Sequence, residues 1–324
     1  MRAWLIDELT GIDRLRIADV PSPRAGESEV VLNVKFAALN PADRYLAENL
    51  YPAHPKLPHI LGRDAVGFVA DANRKDSGER KAVLRGPAGG DLPGTFAEQV
   101  VIPSGGLAKV PAAWSDEEAA GATLVYLTAY QAITMWGVPD PGSILLVTGA
   151  SGGVGVASVQ LGAAMGLHVI GLSRSAEKGR RLLELGASAV FNPENDDWHK
   201  ELKTSLAPRR VNLAIDNIGG KLLPRVIDTL GDNGKVSLVG RLAGPVPSFN
   251  TATMFFRRLR MGGVAVGAYT QEEAQQAWAR VLDLMAAKGS RPIVDSVFPF
   301  EKLPEAFARL AQGPMGKVIL RVRP

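Results

Sequence analysis

The chain has 324 residues, of which 46% are hydrophobic and 22% charged, and its formal net charge is +4. This composition is typical of a soluble globular protein of about two domains, and so small a net charge gives only weak support to a nucleic-acid partner. The absence of cysteine excludes disulfides and thiolate metal sites, and the four histidines form no metal-binding spacing, so no metal is expected. The apolar runs are too short to cross a membrane and the N-terminus lacks a signal-peptide pattern, which predicts a cytoplasmic protein.

The first part of the chain, residues 1–120, contains short runs typical of β-strands. EVVLNVKFAAL and FAEQVVIP are two of them, and segments rich in Pro and Gly separate them. This pattern predicts an antiparallel, barrel-like domain with little helix. Helical spacing begins after Ser115, a favourable N-cap with Glu118 at the capping-box position. A second domain therefore starts nearby.

Strand and helix patterns then alternate. The predicted strands are 143–148, 167–173, 189–191, 211–216 and 235–240, and the predicted helices are 153–165, 176–185, 197–206 and 220–230. Apolar strands separated by helices indicate a doubly wound α/β domain with a parallel sheet. One more strand is expected in RMGGVAVGAY and a long helix at 271–288, so the second domain covers 121–289 and residues 290–324 complete the first domain.

A glycine cluster lies between the first of these strands and its helix. Ala150, Gly152 and Gly155 follow the spacing A-x-G-x-x-G, the dinucleotide fingerprint with alanine in the first position. Bare backbone would let a pyrophosphate approach the chain, and Gly155 would let the helix pack closely on the strand. The alternative is a tight turn with no ligand. We expect cofactor contacts at the start of the helix, from Ser151, Gly152, Gly153 and Val154.

The end of the next strand predicts which dinucleotide binds. Enzymes that use NAD have an acidic residue there, whereas this chain has Ser173 and Arg174, with Lys178 following and no acid before Glu177. Two cations beside serine hydroxyls suit the 2′-phosphate of NADPH. The alternative is that Arg174 and Lys178 are solvated charges at a helix start. We also expect Asn217 and Gly240 at the cofactor, because both follow strands whose carboxyl ends bind ligands in such sheets; ordinary loop roles are the alternative for them.

With these motifs, the sequence resembles the medium-chain dehydrogenase/reductase superfamily, and within it the zinc-free quinone oxidoreductase, zeta-crystallin-like branch. The resemblance covers nearly the whole chain and rests above all on AALNPADRYLAENLYP (37–52), LPHILGRDAVGFV (57–69) and VTGASGGVGVASVQLG (147–162). It implies a GroES-like β-barrel-type catalytic domain and a Rossmann domain, and a homodimer formed through GGVAVGAY. Zinc-dependent members have a cysteine and a GHE motif where this chain has Asn40 and Gly62-Arg63-Asp64.

The resemblance also implies an activity and site residues. The activity is zinc-independent, NADPH-dependent hydride transfer to a small-molecule quinone or to a carbonyl-activated C=C bond. Tyr51 would orient the acceptor and supply a proton, although it could equally be a packing residue; Asn40 and Tyr45 would line the substrate site, and Thr128 would contact the cofactor. Two other functions stay open: a 2-enoyl thioester reductase, and a non-enzymatic NADPH-binding module, crystallin-like or binding single-stranded nucleic acid.

Overall fold

The computed structural model describes residues 1–84, 86–244 and 250–323. Fifteen β-strands lie in these residues: β1 (Arg2–Ile6), β2 (Leu15–Asp19), β3 (Glu29–Ala38), β4 (Asp64–Ala70), β5 (Asp76–Val83), β6 (Gln99–Pro103), β7 (Leu107–Lys109), β8 (Ile144–Val147), β9 (His168–Leu172), β10 (Ala189–Phe191), β11 (Val211–Asp216), β12 (Leu230–Leu238), β13 (Arg260–Gly263), β14 (Val294–Pro299) and β15 (Lys317–Arg321). Ten α-helices lie in the same residues: α1 (Pro41–Ala47), α2 (Asp116–Ala120), α3 (Thr123–Thr134), α4 (Gly153–Ala164), α5 (Ala176–Glu184), α6 (Trp198–Leu206), α7 (Leu222–Thr229), α8 (Ala252–Phe256), α9 (Gln271–Ala287) and α10 (Leu303–Ala311).

These elements form two compact units. The first consists of Met1–Leu124, Tyr269–Trp278 and Arg291–Pro324, and the second of Val125–Ala268 and Ala279–Ser290. None of the helices in the described part of the chain is both long and apolar enough to span a membrane.

The first unit is built on a mostly antiparallel sheet. Its strand order is β14-β15-β3-β4-β5-β7, with β6 also paired to β3, and β1 pairs with β2 in a separate hairpin. The C-terminal strand β15 pairs antiparallel with β3, and only β14 and β15 run parallel. The core contains edge-to-face aromatic pairs, Trp4 with Phe300 and Phe96 with Phe307. The barrel-like β architecture predicted for this part of the chain is therefore confirmed.

Two details of the first unit concern sequence predictions. The capping box of α2 is present: Ser115 Oγ accepts from the Glu118 amide at 3.2 Å, and Glu118 Oε2 accepts from the Ser115 amide at 2.7 Å. The segment Tyr269–Trp278, which the sequence placed in the second domain, packs in this unit. Its Trp278 ring stacks edge-to-face on Trp114, and Gln275 donates to backbone carbonyls of residues 105 and 107. Contacts between positions so far apart in the chain leave no local sequence signal.

The second unit is a doubly wound parallel sheet, as predicted. Its strand order is β10-β9-β8-β11-β12-β13, and every pair is parallel. Two bounds differ from the sequence prediction by more than two residues. The strand expected to begin at residue 235 begins at Leu230, and β13 ends at Gly263 instead of continuing through the apolar stretch that follows it. β13 ends there because its partner β12 ends at Leu238, which is paired with Gly263.

Candidate functional site

The glycine loop joins β8 to α4 with almost no space between loop and helix. A Cβ on Gly155 would lie 2.3 Å from Gly149 O and 2.6 Å from Ala150 Cα, so any side chain there would displace backbone. Gly149 has a φ of 55°, and its Cβ would lie 2.8 Å from Ile218 Cδ1. The close packing that the sequence predicted at Gly155 is therefore present.

Gly152 differs from Gly155 because packing does not require it. A Cβ there would come no closer than 3.5 Å to Gly149 O, which is ordinary contact. Gly152 is the N-cap of α4, and the amides of Gly153 and Val154 follow in the first helical turn, where N–H groups have no acceptor within the helix. The positive end of the helix, with a glycine at its cap that packing does not require, suits a diphosphate. Ser151 precedes this cap, so the four predicted pyrophosphate residues are contiguous at the helix start.

Neighbouring strands bring further predicted residues to the same edge of the sheet. β8 lies between β9 and β11, so the chain moves from β8 to one side through β9 and later to the other side through β11. Such a change of direction is where open α/β sheets bind ligands, outside the carboxyl ends of their strands. The glycine loop after β8 and the residues after β9, β11 and β12 therefore share one edge.

Side-chain hydrogen bonds fix the loops after β8 and β11 to each other. The fully buried Asp216 accepts from Thr148 Oγ1 at 2.7 Å and from the Gly219 amide at 3.0 Å. Asn217 Nδ2 donates to Thr148 O at 2.8 Å, while its Oδ1 is buried and has no hydrogen-bond partner in the described residues. A Cβ on Gly240 would lie 2.6 Å from Asn217 O. The structure thus brings Asn217 and Gly240 together; Thr148 and Asp216 were missed in the sequence, although Asp216 begins the motif DNIGG.

The turn after β9 has a clear division of roles. Ser173 is buried and its Oγ donates to Ser175 O, and Ser175 Oγ caps α5 by accepting from the Lys178 amide at 3.2 Å. Arg174 is 72% exposed, and its Nη1 lies 3.9 Å from Glu194 Oε1 in a loose surface ion pair. The serines therefore shape the turn, and Arg174 projects from it as a cation accessible to a ligand.

Thr128, the remaining predicted cofactor residue, lies half-buried in α3 of the second unit. Two residues earlier in the same helix, the buried Tyr126 donates a hydrogen bond to Gln160 of α4. The helix that follows the glycine loop is thereby tied to α3.

In the first unit, Asn40 belongs to a buried polar network. Asn40 caps α1; its Nδ2 donates to Asp64 Oδ2 at 3.0 Å, and its Oδ1 accepts from Lys317 Nζ at 2.6 Å. Lys317 also pairs with Asp64 at 3.1 Å, and Thr123 donates to the other carboxylate oxygen of Asp64. All four side chains are buried. Both polar ends of Asn40 are therefore engaged within the protein.

Beside this network, Tyr51 contacts a residue that sequence reasoning did not select. The guanidinium of Arg63 lies over the Tyr51 ring, with Cζ 4.2 Å from the ring centroid, and Arg63 Nη1 donates to Tyr51 Oη at 3.2 Å. Arg63 Nε lies 3.8 Å from Oδ1 of the fully buried Asp43. We call Tyr51, Arg63, Asp43 and the adjoining buried His59 the tyrosine–arginine cluster. Tyr45, in contrast, lies half-buried in α1, and its carbonyl accepts from the Leu50 amide.

The cluster contains buried polar atoms without hydrogen-bond partners among the residues that the structure describes, and two groups with shifted pKa values. Asp43 Oδ1, His59 Nε2 and two nitrogens of Arg63, Nε and Nη2, are buried and lack a hydrogen-bond partner in the described residues. Burial raises the pKa of Asp43 to about 6, although the Arg63 charge opposes the rise. Burial, followed by the Arg63 charge, lowers the pKa of His59 to about 4. Groups with such shifts gather at functional sites. The described part of the chain contains no group of three or more His, Cys, Asp or Glu side chains arranged to hold a metal ion.

Comparisons with known proteins agree with this architecture. Residues 26–112 match the family described as alcohol dehydrogenase GroES-like domain, and residues 153–287 match the family described as zinc-binding dehydrogenase. A curated quinone oxidoreductase of Lama guanicoe is 29% identical over 326 residues, covering 100% of this chain and 98% of that protein.

Two solved structures have the same fold over nearly the whole chain. An NAD-dependent alcohol dehydrogenase is 28% identical with a TM-score of 0.89, covering 100% of both chains. The Thermus thermophilus quinone oxidoreductase, also solved in complex with NADPH, is 30% identical with a TM-score of 0.83, covering 99% of this chain and 100% of that chain. The two units are thus a GroES-like domain and a Rossmann domain, and the fold is that of a two-domain oxidoreductase. This chain belongs to the medium-chain dehydrogenase/reductase superfamily.

Proposed function

We propose that the protein is a zinc-independent, NADPH-dependent reductase that transfers hydride to a quinone or to a C=C bond conjugated to a carbonyl. The observation that carries the proposal is the glycine loop. Gly155 is required by packing, whereas Gly152 is not; Gly152 is the N-cap of α4, at the sheet edge where α/β proteins bind nucleotides. The T. thermophilus quinone oxidoreductase that binds NADPH and the curated quinone oxidoreductase relative support the same activity.

The residues at the sheet edge fit a dinucleotide. The amides from Ser151 to Val154 would hold the pyrophosphate, and the buried, unpartnered Oδ1 of Asn217 would accept a hydrogen bond from the cofactor. Arg174, with Lys178 in the first turn of α5, would hold the 2′-phosphate. The bound cofactor supplies the hydride.

The chain itself would supply the proton. Addition of hydride to an electron-poor carbon leaves negative charge on the acceptor's oxygen, and a proton must then reach that oxygen or the neighbouring carbon. We assign this step to Tyr51, whose hydroxyl can donate a hydrogen bond to the carbonyl oxygen and then release its proton. Asn40 is left outside the proton path because both polar ends of its side chain are engaged by Asp64 and Lys317.

The choice of cofactor can be tested by titrating the protein with NADPH and NADH. Replacing Arg174 and Lys178 together by Gln should weaken NADPH binding about tenfold or more and leave NADH binding unchanged, because a charge-assisted hydrogen bond contributes roughly 1.5 to 3 kcal/mol. Arg181→Gln is the matched control, since Arg181 is an exposed cation of the same helix paired with Glu184. Equal affinity of the unmodified protein for both cofactors would refute the 2′-phosphate assignment.

The acceptor can be tested with a panel of quinones, enones and enoyl thioesters, assayed by NADPH oxidation. Turnover of quinones and short enones supports the proposal, and exclusive turnover of long-chain enoyl thioesters supports the 2-enoyl thioester reductase instead. Salt-sensitive binding to single-stranded nucleic acid, combined with no turnover of any acceptor, would indicate the non-enzymatic module.

A further inference from the structure

We propose that Arg63 is a positioning residue for Tyr51, which turns the phenolic proton toward the acceptor and stabilises the charge left when that proton is given up. The inference rests on the proposed function, because it assigns Arg63 a role in the proton step of that reaction. Three features of Arg63 in this chain support this role.

The hydrogen bond between Arg63 and Tyr51 has only one possible direction. Arg63 Nη1 lies 3.2 Å from Tyr51 Oη. A guanidinium has only donors, so the tyrosine oxygen must be the acceptor in this contact. The single proton of the Tyr51 hydroxyl is then directed away from Arg63 and remains for another acceptor. A side chain such as Asn or Glu at position 63 could accept that proton, whereas arginine cannot.

Arg63 also faces the charge that develops on Tyr51 during proton transfer. When Tyr51 donates its proton, negative charge develops on Oη and is shared with the ring. The Arg63 guanidinium is placed to stabilise both, since it donates to Oη and its Cζ lies 4.2 Å from the ring centroid. The contact is charge-assisted from the start, because its donor is a cation, and it becomes an ion pair as negative charge develops on Oη, so it strengthens as the proton leaves. Groups that bind more tightly in the transition state than in the ground state raise kcat.

The protein holds Arg63 in this position at a cost. Two of its nitrogens are buried without hydrogen-bond partners in the described residues, and the nearest carboxylate oxygen, Asp43 Oδ1, is 3.8 Å away from Nε. Unsatisfied buried donors are destabilising. Glycine gives the side chain its space, because a Cβ on Gly89 would lie 3.0 Å from Arg63 Cγ and 2.0 Å from Gly62 O. A purely structural ion pair with Asp43 would be expected to close to hydrogen-bond distance.

The experiment measures kcat for the best quinone or enone acceptor in Arg63→Ala, Tyr51→Phe and the double variant. Removal of a positioned proton donor costs about 100- to 10,000-fold in general, so we expect Tyr51→Phe to fall in this range and Arg63→Ala to lose about tenfold or more. The double variant should be no slower than Tyr51→Phe alone. Millimolar guanidinium should restore activity to Arg63→Ala and not to the double variant, a response that a merely structural role would not give.

Two further variants keep the test valid if Arg63→Ala folds poorly. Arg63→Ala with Asp43→Asn removes the carboxylate that would be left buried and unpaired, and Arg63→Lys keeps the charge but loses the planar contact with the ring. Both should remain slower than wild type at full NADPH saturation. Arg321→Gln is the control, because Arg321 also lies over an aromatic ring of the same unit, Phe36, at 5.6 Å; its kcat should equal that of wild type.

The outcomes separate the inference from the function. If folded Arg63 variants are fully active while Tyr51→Phe is inactive, the role of Arg63 is overturned and that of Tyr51 stands. The role of Arg63 is likewise overturned if Arg63→Ala lowers kcat by the same factor in the wild-type and in the Tyr51→Phe background. Full activity of Tyr51→Phe would remove the proton role of Tyr51 and with it that of Arg63. Absence of turnover by the unmodified protein on every acceptor would instead contradict the proposed function.

Discussion

The glycine loop of the second unit and the tyrosine–arginine cluster of the first differ in what they require of the sequence. The loop offers backbone groups, and its tightest position excludes any side chain because the Gly155 Cβ would overlap backbone. The cluster offers side chains. Its main feature is that charged groups, and nitrogen and oxygen atoms without hydrogen-bond partners in the described part of the chain, are buried in it. The loop therefore depends on steric fit, and substitutions that add volume should disrupt it. The cluster and the network beside it depend on electrostatic pairing, and substitutions that remove a charge should disrupt them.

The largest loss of stability is expected from Lys317→Met, in the network beside the cluster. Lys317 is 5% exposed and is paired with Asp64, which is 1% exposed. Removing the lysine leaves a buried carboxylate without its cation, which typically costs about 3 to 5 kcal/mol in the free energy of unfolding. Urea denaturation of wild type and variant at pH 7 measures the difference.

The matched control is Lys317→Met combined with Asp64→Asn, which removes both charges and keeps the volume nearly constant. Replacing a whole buried ion pair costs far less than breaking it, so the double variant should recover most of the lost stability. A double variant less stable than Lys317→Met would mean that the Asp64 carboxylate is stabilised mainly by its other donors, Asn40 Nδ2 and the Leu124 amide, and not by the charge of Lys317.

A smaller loss is expected at the steric site from Gly155→Ala. The added Cβ would lie 2.3 Å from Gly149 O, and overpacking of this kind costs about 1 to 3 kcal/mol. The displaced loop should also bind NADPH at least tenfold more weakly, which fluorescence titration would detect. Gly152→Ala is the matched control, because its Cβ meets nothing closer than 3.5 Å and its φ of −74° suits any residue. Stability of the Gly152 variant should be nearly that of wild type, and equal behaviour of the two variants would contradict the steric account.

The same difference explains how far the sequence could predict the structure. The parallel sheet follows from apolar periodicity, and the predicted strands 189–191 and 211–216 coincide with β10 and β11. The glycine loop is also a local pattern, so its place between β8 and α4 could be predicted. Periodicity could not show that β13 would be short, because its length depends on where its partner β12 ends.

The cluster could be predicted only in part. The resemblance points to Tyr51, whereas for Arg63 it indicates only that Gly62-Arg63-Asp64 replaces a GHE motif. The contact between Arg63 and Tyr51 depends on the path of the chain between them, which no local pattern reveals. A signal was nevertheless present: Arg63 and Asp64 are charged residues inside LPHILGRDAVGFV, which apart from them and His59 is apolar, and Lys317 opens the apolar KVIL. Charged residues in a segment that will be buried must find partners or a function.

The smallest expected effect is on the pH dependence of the free energy of unfolding, and it involves two members of the cluster, Asp43 and His59. The pKa of Asp43 is raised from 3.8 to about 6, so between these values the folded protein binds more protons than the unfolded chain, and the free energy of unfolding falls as pH rises. The pKa of His59 is lowered from 6.5 to about 4, so between those values the folded protein binds fewer protons, and the free energy of unfolding rises with pH. The two effects oppose each other from pH 4 to 6.

Single variants should therefore reveal slopes that nearly cancel in the wild type. From pH 4.5 to 5.5, relative to wild type, the free energy of unfolding should rise by about 1 kcal/mol in Asp43→Asn, where His59 remains, and fall by about 1 kcal/mol in His59→Gln, where Asp43 remains. The double variant should return to the wild-type pH dependence. Urea denaturation at several pH values in constant ionic strength measures all four proteins, and parallel pH profiles would show that neither group titrates as its burial requires.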